Sequence, residues 1–406
     1  KRFDVVICEV GGTVGDIESL PFMEAIRQMS VNVGYHNHII VHVTLLPYVK
    51  ASEEVKTKPT QHSVMRLREI GLTPDFILCR SETRIKKSVK EKIALFCNVD
   101  AAHVIEGQDV NSIYEVPLLL DKQKLGQLIF ERMRFSGGTD VSALQKFIHH
   151  YRNPVHSVTI AMCGKYTELP DAYKSVLEAF NHAGVENDAQ IIIKWVATDD
   201  LRSLKHCENE FAAVNGILLL PGFGKRGSEG KILACQYARE NNVPFLGICL
   251  GLQCAVIEFA RNICGLKNAN STEFDSKTPY PVIDLMESQR MVKKKGGTMR
   301  LGAYKCELKS DSQVLTEYRK KKISERHRHR WEVNNRFRTK LEKNGLIVSG
   351  LNPELNLVEI IELEDHPWFI GCQFHPELKS RVLKAHPLFR GFIGASVEYI
   401  NGQSFE

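Results

Sequence analysis

Pro244-Phe245-Leu246-Gly247-Ile248-Cys249-Leu250-Gly251-Leu252-Gln253 is the stretch on which the reading of this chain turns. Apolar residues run up to Gly247, and a helical pattern of Leu252, Ala255, Val256 and Phe259 begins just beyond, so a strand is expected to turn sharply into a helix. Cys249 sits at that turn with a glycine two residues to either side, the pattern of a nucleophile elbow. The glycines are expected to let the backbone bend tightly and to keep bulk away from the thiol. The N-terminus of the following helix would favour the thiolate. A buried structural cysteine after a strand gives the same local pattern, so the decision rests on residues elsewhere.

Working outward, Gly371-Cys372-Gln373-Phe374-His375-Pro376-Glu377 supplies the partners. In extended backbone, residues two apart face the same way, which predicts that His375 and Glu377 project together. A cysteine, a histidine and a carboxylate that orients it carry out nucleophilic acyl transfer. Upstream, Leu220-Pro221-Gly222-Phe223-Gly224-Lys225-Arg226-Gly227 reads as a glycine-rich turn opening a helix at Ser228. Backbone N–H groups at such a turn stabilise an oxyanion. The G-x-G-x-x-G spacing of a dinucleotide site is absent.

The rest of the chain alternates strands and helices, which predicts α/β domains with parallel sheets. Phe3–Cys8 reads as a buried strand, followed by an acidic glycine loop holding Glu9, Asp16 and Glu18. Three carboxylates among glycines suit Mg²⁺ and hydroxyl contacts, with a solvated turn as the alternative. Expected next are a helix from Leu20 to Val33, a strand at 39–46, and Lys56-Thr57-Lys58-Pro59-Thr60-Gln61. The last segment is either a triphosphate cradle or a helix start capped by Thr60. Helices at 62–70, 86–96 and 122–134 and strands at 75–79 and 103–106 complete a first domain at 1–135. A linker is expected at 136–156, where Ser136-Gly137-Gly138-Thr139 breaks the pattern and a short helix ends at Asn153-Pro154. A second domain, 157–406, opens with a strand at 158–162 and Gly164-Lys165-Tyr166.

Two domains also fit a length of 406 residues, and 43% hydrophobic with 25% charged residues is a globular composition. A net charge of +6 suits phosphorylated small molecules without demanding nucleic acid. The basic run ending in Glu325-Arg326-His327-Arg328-His329-Arg330 is interrupted by acidic and aromatic neighbours and lacks zinc spacing, so neither nucleic acid nor zinc is expected. Eleven cysteines without a C-x-x-C pair read as free thiols in a reducing compartment. No apolar run approaches the roughly 20 residues of a membrane helix, so a cytoplasmic protein without a membrane partner is expected. The chain opens on Lys1-Arg2-Phe3-Asp4-Val5-Val6-Ile7 with no initiator Met, from which a missing N-terminal portion is expected.

The Gly-x-Cys-x-Gly elbow with a downstream His-Pro-Glu resembles the class I glutamine amidotransferases. Five further stretches are similar to the bacterial-type CTP synthase family: Glu9 to Ser19, Lys56 to Gln61, Asn270-Ser271-Thr272-Glu273-Phe274, Gly296-Gly297-Thr298-Met299-Arg300-Leu301-Gly302 and Glu325 to Arg330. The resemblance covers essentially the whole chain. It implies a P-loop-type amidoligase domain joined to an amidotransferase domain, and formation of CTP from UTP, ATP and L-glutamine. ATP would phosphorylate the uracil 4-oxygen, and ammonia delivered between domains would displace that phosphate.

By resemblance Cys249 attacks the glutamine amide, His375 is the acid/base and Glu377 orients it. Gly222 and the backbone of Leu250 would form the oxyanion hole. Gly251, Leu252, Gln253, Glu273 and Arg330 would complete the glutamine site. Asp16, Ile17, Glu18, Lys56, Thr57, Lys58, Pro59, Thr60, Gln61 and Lys92 would contact UTP, or CTP as feedback inhibitor. Gln108, Asp109 and Val110 would lie near ATP, and Glu9 would bind Mg²⁺. The resemblance also implies activation by GTP and a homotetramer.

The sequence departs from the family pattern in places. The family's glycine-rich phosphate loop with its lysine, and a second Mg²⁺ carboxylate, are not in this sequence. Glutaminase activity is therefore expected without ATP-dependent CTP formation. Pro221 stands where the family usually has glycine, Glu53 likewise, and Met286 to Lys295 is more basic than usual. Two other readings remain: an unrelated α/β cysteine hydrolase, and a non-catalytic nucleotide-binding assembly protein, towards which Pro221 leans.

Overall fold

The computed structural model describes residues 3–165, 170–285 and 299–403. Lys1, Arg2, Tyr166, the basic segment Met286 to Lys295 and Gly296, Gly297 and Thr298 of the expected motif lie outside the described residues. The chain divides into two compact units, Lys1–Ile148 and His149–Glu406. The segment expected as a linker contains the helix Ser142–Arg152.

The first unit is built on three parallel strands in the order Val41–Leu45, Phe76–Ser81 and Val104–Gln108. Helices Lys58–Glu69 and Lys87–Cys97 cover it through a core of Leu46, Val64, Ile77, Cys79, Ile93 and Val104. Val89, Ile93 and Cys97 recur every four residues, which places them on the face of Lys87–Cys97 that meets this core. Asn98, left-handed at φ 55°, ends the helix by donating its N–H to Ala94 O. The helix Leu20–Val33 has the expected bounds, whereas the helix expected near 122–134 is two pieces, Val116–Lys122 and Leu125–Met133.

Phe3–Cys8 is not a buried strand. It joins none of the ladders among the described residues, and Val5, Val6 and Ile7 are 56%, 72% and 91% exposed. An apolar run becomes a strand only where a neighbour accepts its backbone bonds. Val41–Leu45 also inverts the usual pattern: His42 and Thr44 are buried while Val41, Val43 and Leu45 are exposed. Thr44 is tied inward by the hydroxyl of Thr60, 3.0 Å away.

In the second unit nine strands form one sheet, ordered Lys322–His329, Arg300–Leu308, Leu346–Asn352, Leu357–Leu363, Phe369–Cys372, Phe245–Ile248, Gly216–Leu219, His156–Gly164 and Ala189–Ala197. The last five are mutually parallel and the others pair antiparallel. Alternation along His156–Gly164 divides the core. Ile160 and Met162 pack with helices Lys174–Glu186 and Pro387–Gln403, and Ala161 and Cys163 with Ser228–Glu240 and Leu250–Asn262. Phe245 stacks on Phe369 at 4.1 Å, pinning the two strands whose ends carry the site. A second sheet of Ala269–Ser271, Tyr280–Leu285 and Trp331–Val333 lies beside this core.

Candidate active site

The strand Phe245–Ile248 turns into the helix Leu250–Asn262 at Cys249, as the elbow pattern predicts. The glycines act differently from expectation. Cys249 itself takes the strained conformation, φ 54° and ψ −98°, while neither Gly247 nor Gly251 has a positive φ. The glycines are needed for closeness. A Cβ on Gly247 would stand 2.8 Å from the Gly251 carbonyl carbon, and one on Gly251 2.8 Å from Leu219 O. The helix therefore starts hard against the sheet, and Cys249 is 2% exposed.

Ile248 and Cys372 are paired in register on adjacent parallel strands. Cys249 and Gln373 consequently leave the sheet side by side, and Cys249 N donates to Cys372 O at 2.7 Å. His375 and Glu377 follow, but not on the extended backbone that the two-residue spacing suggested. Pro376–Lys379 is a 3₁₀ turn, and within it His375 Nδ1 lies 2.7 Å from Glu377 Oε1. A backbone bond from His375 N to Arg326 O, 2.8 Å, fixes the ring's origin. Nε2 is buried with no oxygen or nitrogen partner among the described residues. Burial pushes the imidazole down, yet the Cys249 sulfur and the Glu377 carboxylate outweigh it and hold His375 up at about 10. Such a ring is a cation beside the sulfur at neutral pH.

The turn at 220–227 is held from below. Lys231, fully buried, donates to Leu220 O. Lys165 Nζ donates to Phe223 O at 2.5 Å and Gly224 O at 2.7 Å, and Gly224 N donates to Glu273 Oε1 at 2.7 Å. Gly224 needs its φ of 78°, whereas Gly222 has no positive φ. Gly222 comes beside Leu250, its Cβ position 3.6 Å from Leu250 Cδ2, so the two segments expected to supply oxyanion donors are neighbours.

Gly251 and Leu252 are buried in the first turn of the elbow helix. Gln253 Nε2 donates to Trp331 O at 3.0 Å and to Gln373 Oε1 at 3.2 Å, and Gln373 Nε2 lies 3.6 Å from Cys249 Sγ. Arg330 is buried next to Trp331. Behind it Arg300 pairs with Glu359 at 2.5 Å and Glu332 at 3.3 Å, beside His327 and His329. Burial lowers both histidines, His329 to about 3, so they are neutral.

In the first unit Thr60 and Gln108 stand at the carboxyl ends of the parallel strands, where open sheets bind ligands. The acidic loop instead packs through Val10 and Val14 on Ile40, Leu67 and Leu72 at their amino ends, so the structure does not bring all the expected nucleotide residues together. Lys58, Pro59, Thr60 and Gln61 form the first turn of Lys58–Glu69, so the helix starts earlier than the expected 62–70. Thr57, Thr60 and Gln61 are buried, with Gln61 Nε2 on Thr57 Oγ1 at 3.1 Å. Lys56 reaches Glu54 at 2.5 Å, Lys92 also acts on Glu54, and Lys58 lies over Phe96 on the Lys92 helix. Asp16 accepts from Thr13 N at 3.1 Å, while Ile17 and Glu18 are exposed. Gly15 packs on Arg66, in the last turn of that helix, which leaves the acidic loop at the opposite end from Lys58 to Gln61. Glu9 and Glu18 line one cavity of about 320 Å³. Among the described residues no cluster of three or more metal ligands occurs, so a cation there would draw on one or two carboxylates. Gln108 ends its strand, and Asp109 bonds Ser81 O and pairs with Arg80 at 3.5 Å.

Residues 1–135 match the family described as CTP synthase N-terminus, and residues 168–395 match glutamine amidotransferase class-I. CTP synthase of Cytophaga hutchinsonii is 51% identical over 404 residues, 99% of this chain and 75% of that protein. That of Chlorobium phaeobacteroides is 53% identical over 405 residues, 99% and 72% respectively. The chain belongs to the CTP synthase family. The glutaminase domain of Trypanosoma brucei CTPS, with bound acivicin, superposes with a TM-score of 0.56 at 35% identity, covering 59% of this chain and 94% of that one. CTP synthases are glutamine-hydrolysing ligases, which sets aside an unrelated cysteine hydrolase and a non-catalytic protein. No helix among the described residues is long and apolar enough to cross a membrane.

Gln373, Lys231 and Lys165 were not singled out from the sequence. Gln373 lay inside the quoted His-Pro-Glu stretch. Lys231 left a usable signal, a lysine on the apolar stripe with Ala234, Cys235 and Ala238. Lys165 is joined to the turn only by the fold.

Proposed function

We propose that the second unit releases ammonia from L-glutamine at Cys249 and that the first unit carries the UTP-binding part of the site at which the family aminates UTP. The observation that carries the proposal is the strained Cys249 elbow beside His375, whose Nδ1 is held by Glu377 at 2.7 Å. The Cys249 thiolate attacks the side-chain amide carbon, and the oxyanion is met by backbone N–H of Gly222 and Leu250. His375 gives its proton to the amide nitrogen, which leaves as ammonia, and a thioester remains. His375 then takes a proton from water, the hydroxide cleaves the thioester, and glutamate departs with Cys249 restored. Glu377 holds the imidazole in the required tautomer throughout. Glu273 and Arg330 flank the turn and the elbow and hold the substrate's amino and carboxylate groups, with Gly251, Leu252 and Gln253 supplying the wall. Pro221 leaves the Gly222 N–H intact, so the turn keeps its donor.

UTP, and CTP as competing inhibitor, would bind where Lys56, Lys58 and Lys92 converge on the N-terminus of Lys58–Glu69, a setting that suits a triphosphate. Thr57, Pro59, Thr60 and Gln61 shape that turn; by the family resemblance Asp16, Ile17 and Glu18 would meet the nucleoside, although here their loop packs at the other end of the helix. ATP lies by Gln108, Asp109 and Val110. Mg²⁺, which neutralises charge on the phosphates, would sit at Glu9, since that ion commonly takes one or two carboxylates plus phosphate oxygens. GTP as activator, a homotetramer and a cytoplasmic location complete the reading.

The test is release of ammonia and glutamate from glutamine, with and without GTP, by the chain and by Cys249→Ala. Release that disappears in Cys249→Ala is expected. Release that survives the substitution, or none from the folded chain, overturns the glutaminase assignment.

A further inference from the structure

We infer that Gln373 is a catalytic residue, donating a hydrogen bond to the Cys249 sulfur, and that Gln253 is the positioning residue that aims it. The inference rests on the glutaminase reading above and adds a third stabilising group to the nucleophile.

The polarity of the amide chain is fixed by its far end. Trp331 O is a backbone carbonyl and only accepts, so Gln253 must present its NH₂ there, at 3.0 Å. The same NH₂ faces the Gln373 side chain at 3.2 Å, and a donor requires an acceptor opposite, which makes that atom Gln373 Oε1. The remaining end of the Gln373 amide, its NH₂, is thereby turned to Cys249 Sγ at 3.6 Å. Gln373 is 0% and Gln253 3% exposed, so water does not compete for these groups. The backbone is equally determined: Gln373 N donates to Glu359 O at 2.8 Å on the neighbouring strand. Trp331 O is held by a second donor, His329 Nδ1 at 3.2 Å.

A donor aimed at sulfur favours thiolate over thiol, because only the anion is a strong acceptor. His375 makes the same choice from another side, but its proton must leave for the departing nitrogen. Gln373 cannot give its proton away. It holds the sulfur's charge and direction while His375 changes state, and that separates the two roles. Gln253, in the first turn after Cys249, couples the elbow to the strand Trp331–Val333 through this chain.

Two variants test the inference, Gln373→Glu, which keeps the shape and replaces NH₂ with oxygen, and Gln373→Met, which removes polarity. Glutaminase kcat and KM are measured, with the rate at which iodoacetamide modifies Cys249, followed on its own peptide because other thiols are present. Both variants are expected to lose roughly 10–100-fold in kcat, the effect of one hydrogen bond to a charged group, with KM within about threefold. Cys249 modification at neutral pH should slow several-fold in both, whereas a purely structural residue would leave the rate per folded molecule unchanged. Gln253→Met should give a smaller loss of the same kind. Gln373→Glu with normal kcat and normal thiol reactivity overturns the inference. So does loss accounted for by unfolding in thermal melts, with unaltered turnover per alkylatable Cys249. Wild-type chain that releases no ammonia would instead defeat the glutaminase reading itself.

Discussion

His375 is the residue whose surroundings say most about chemistry. Its imidazole is held up at about 10 against an ordinary value near 6.5, with burial opposing and Cys249 and Glu377 prevailing. A raised histidine stabilises the fold fully below its unfolded value and loses that contribution as pH rises through its folded one. The contribution of the His375–Glu377 pair is therefore complete below about 6.5 and is lost progressively as pH rises to about 10. Glutaminase activity should fall on that alkaline limb, which a pH–rate profile will locate. Glu377→Gln removes one of the two supports, so it should move the limb to lower pH and reduce kcat by roughly 10–100-fold, with KM little changed. His327 and His329 show the opposite case on Lys322–His329, the strand whose Arg326 O accepts from His375 N. Burial and the charge of Arg300 keep them neutral, and they support the site by hydrogen bonds instead of charge.

The strand–elbow–helix unit was legible in the sequence, though the reason attached to its glycines was not. Gly-x-Cys-x-Gly suggests conformational freedom at the glycines, but the positive φ belongs to Cys249. The glycines exist because the helix Leu250–Asn262 begins in contact with its own strand and with Leu219, a packing fact invisible to local pattern. Gly251→Ala should accordingly destabilise by about 1–3 kcal/mol, as overpacking does. It should also lower kcat beyond what the melting temperature accounts for, because the displaced helix carries Leu250 N–H away from the sulfur. Thermal unfolding and steady-state glutaminase kinetics check both. Similarly, His375 and Glu377 were paired correctly from their spacing, but a 3₁₀ turn joins them, not alternation.

The second unit holds the proposed triad and oxyanion turn, and two hydrophobic clusters on opposite faces of its own nine-stranded sheet. Residues 149–406 expressed alone should fold cooperatively and release ammonia from glutamine in a Cys249-dependent way, measured by calorimetry and ammonia assay. A fragment that unfolds or lacks activity would refute this. The first unit offers less: three parallel strands, with one side of Val41–Leu45 exposed.

The amino-acid sequence by itself determined the alternation of strands and helices, the elbow, the order of oxyanion turn, cysteine and histidine, and the family. These depend on periodicity and on residue types at fixed local spacing, which the chain carries regardless of its surroundings. Tertiary structure alone decided that Phe3–Cys8 joins no ladder among the described residues, since a strand exists only with a neighbour. It also decided that Lys231 and Lys165 clamp the turn, and that Gln373 meets Cys249 across 124 positions of chain. Contacts of that kind are set by sheet order and register, and neither is written in any one segment.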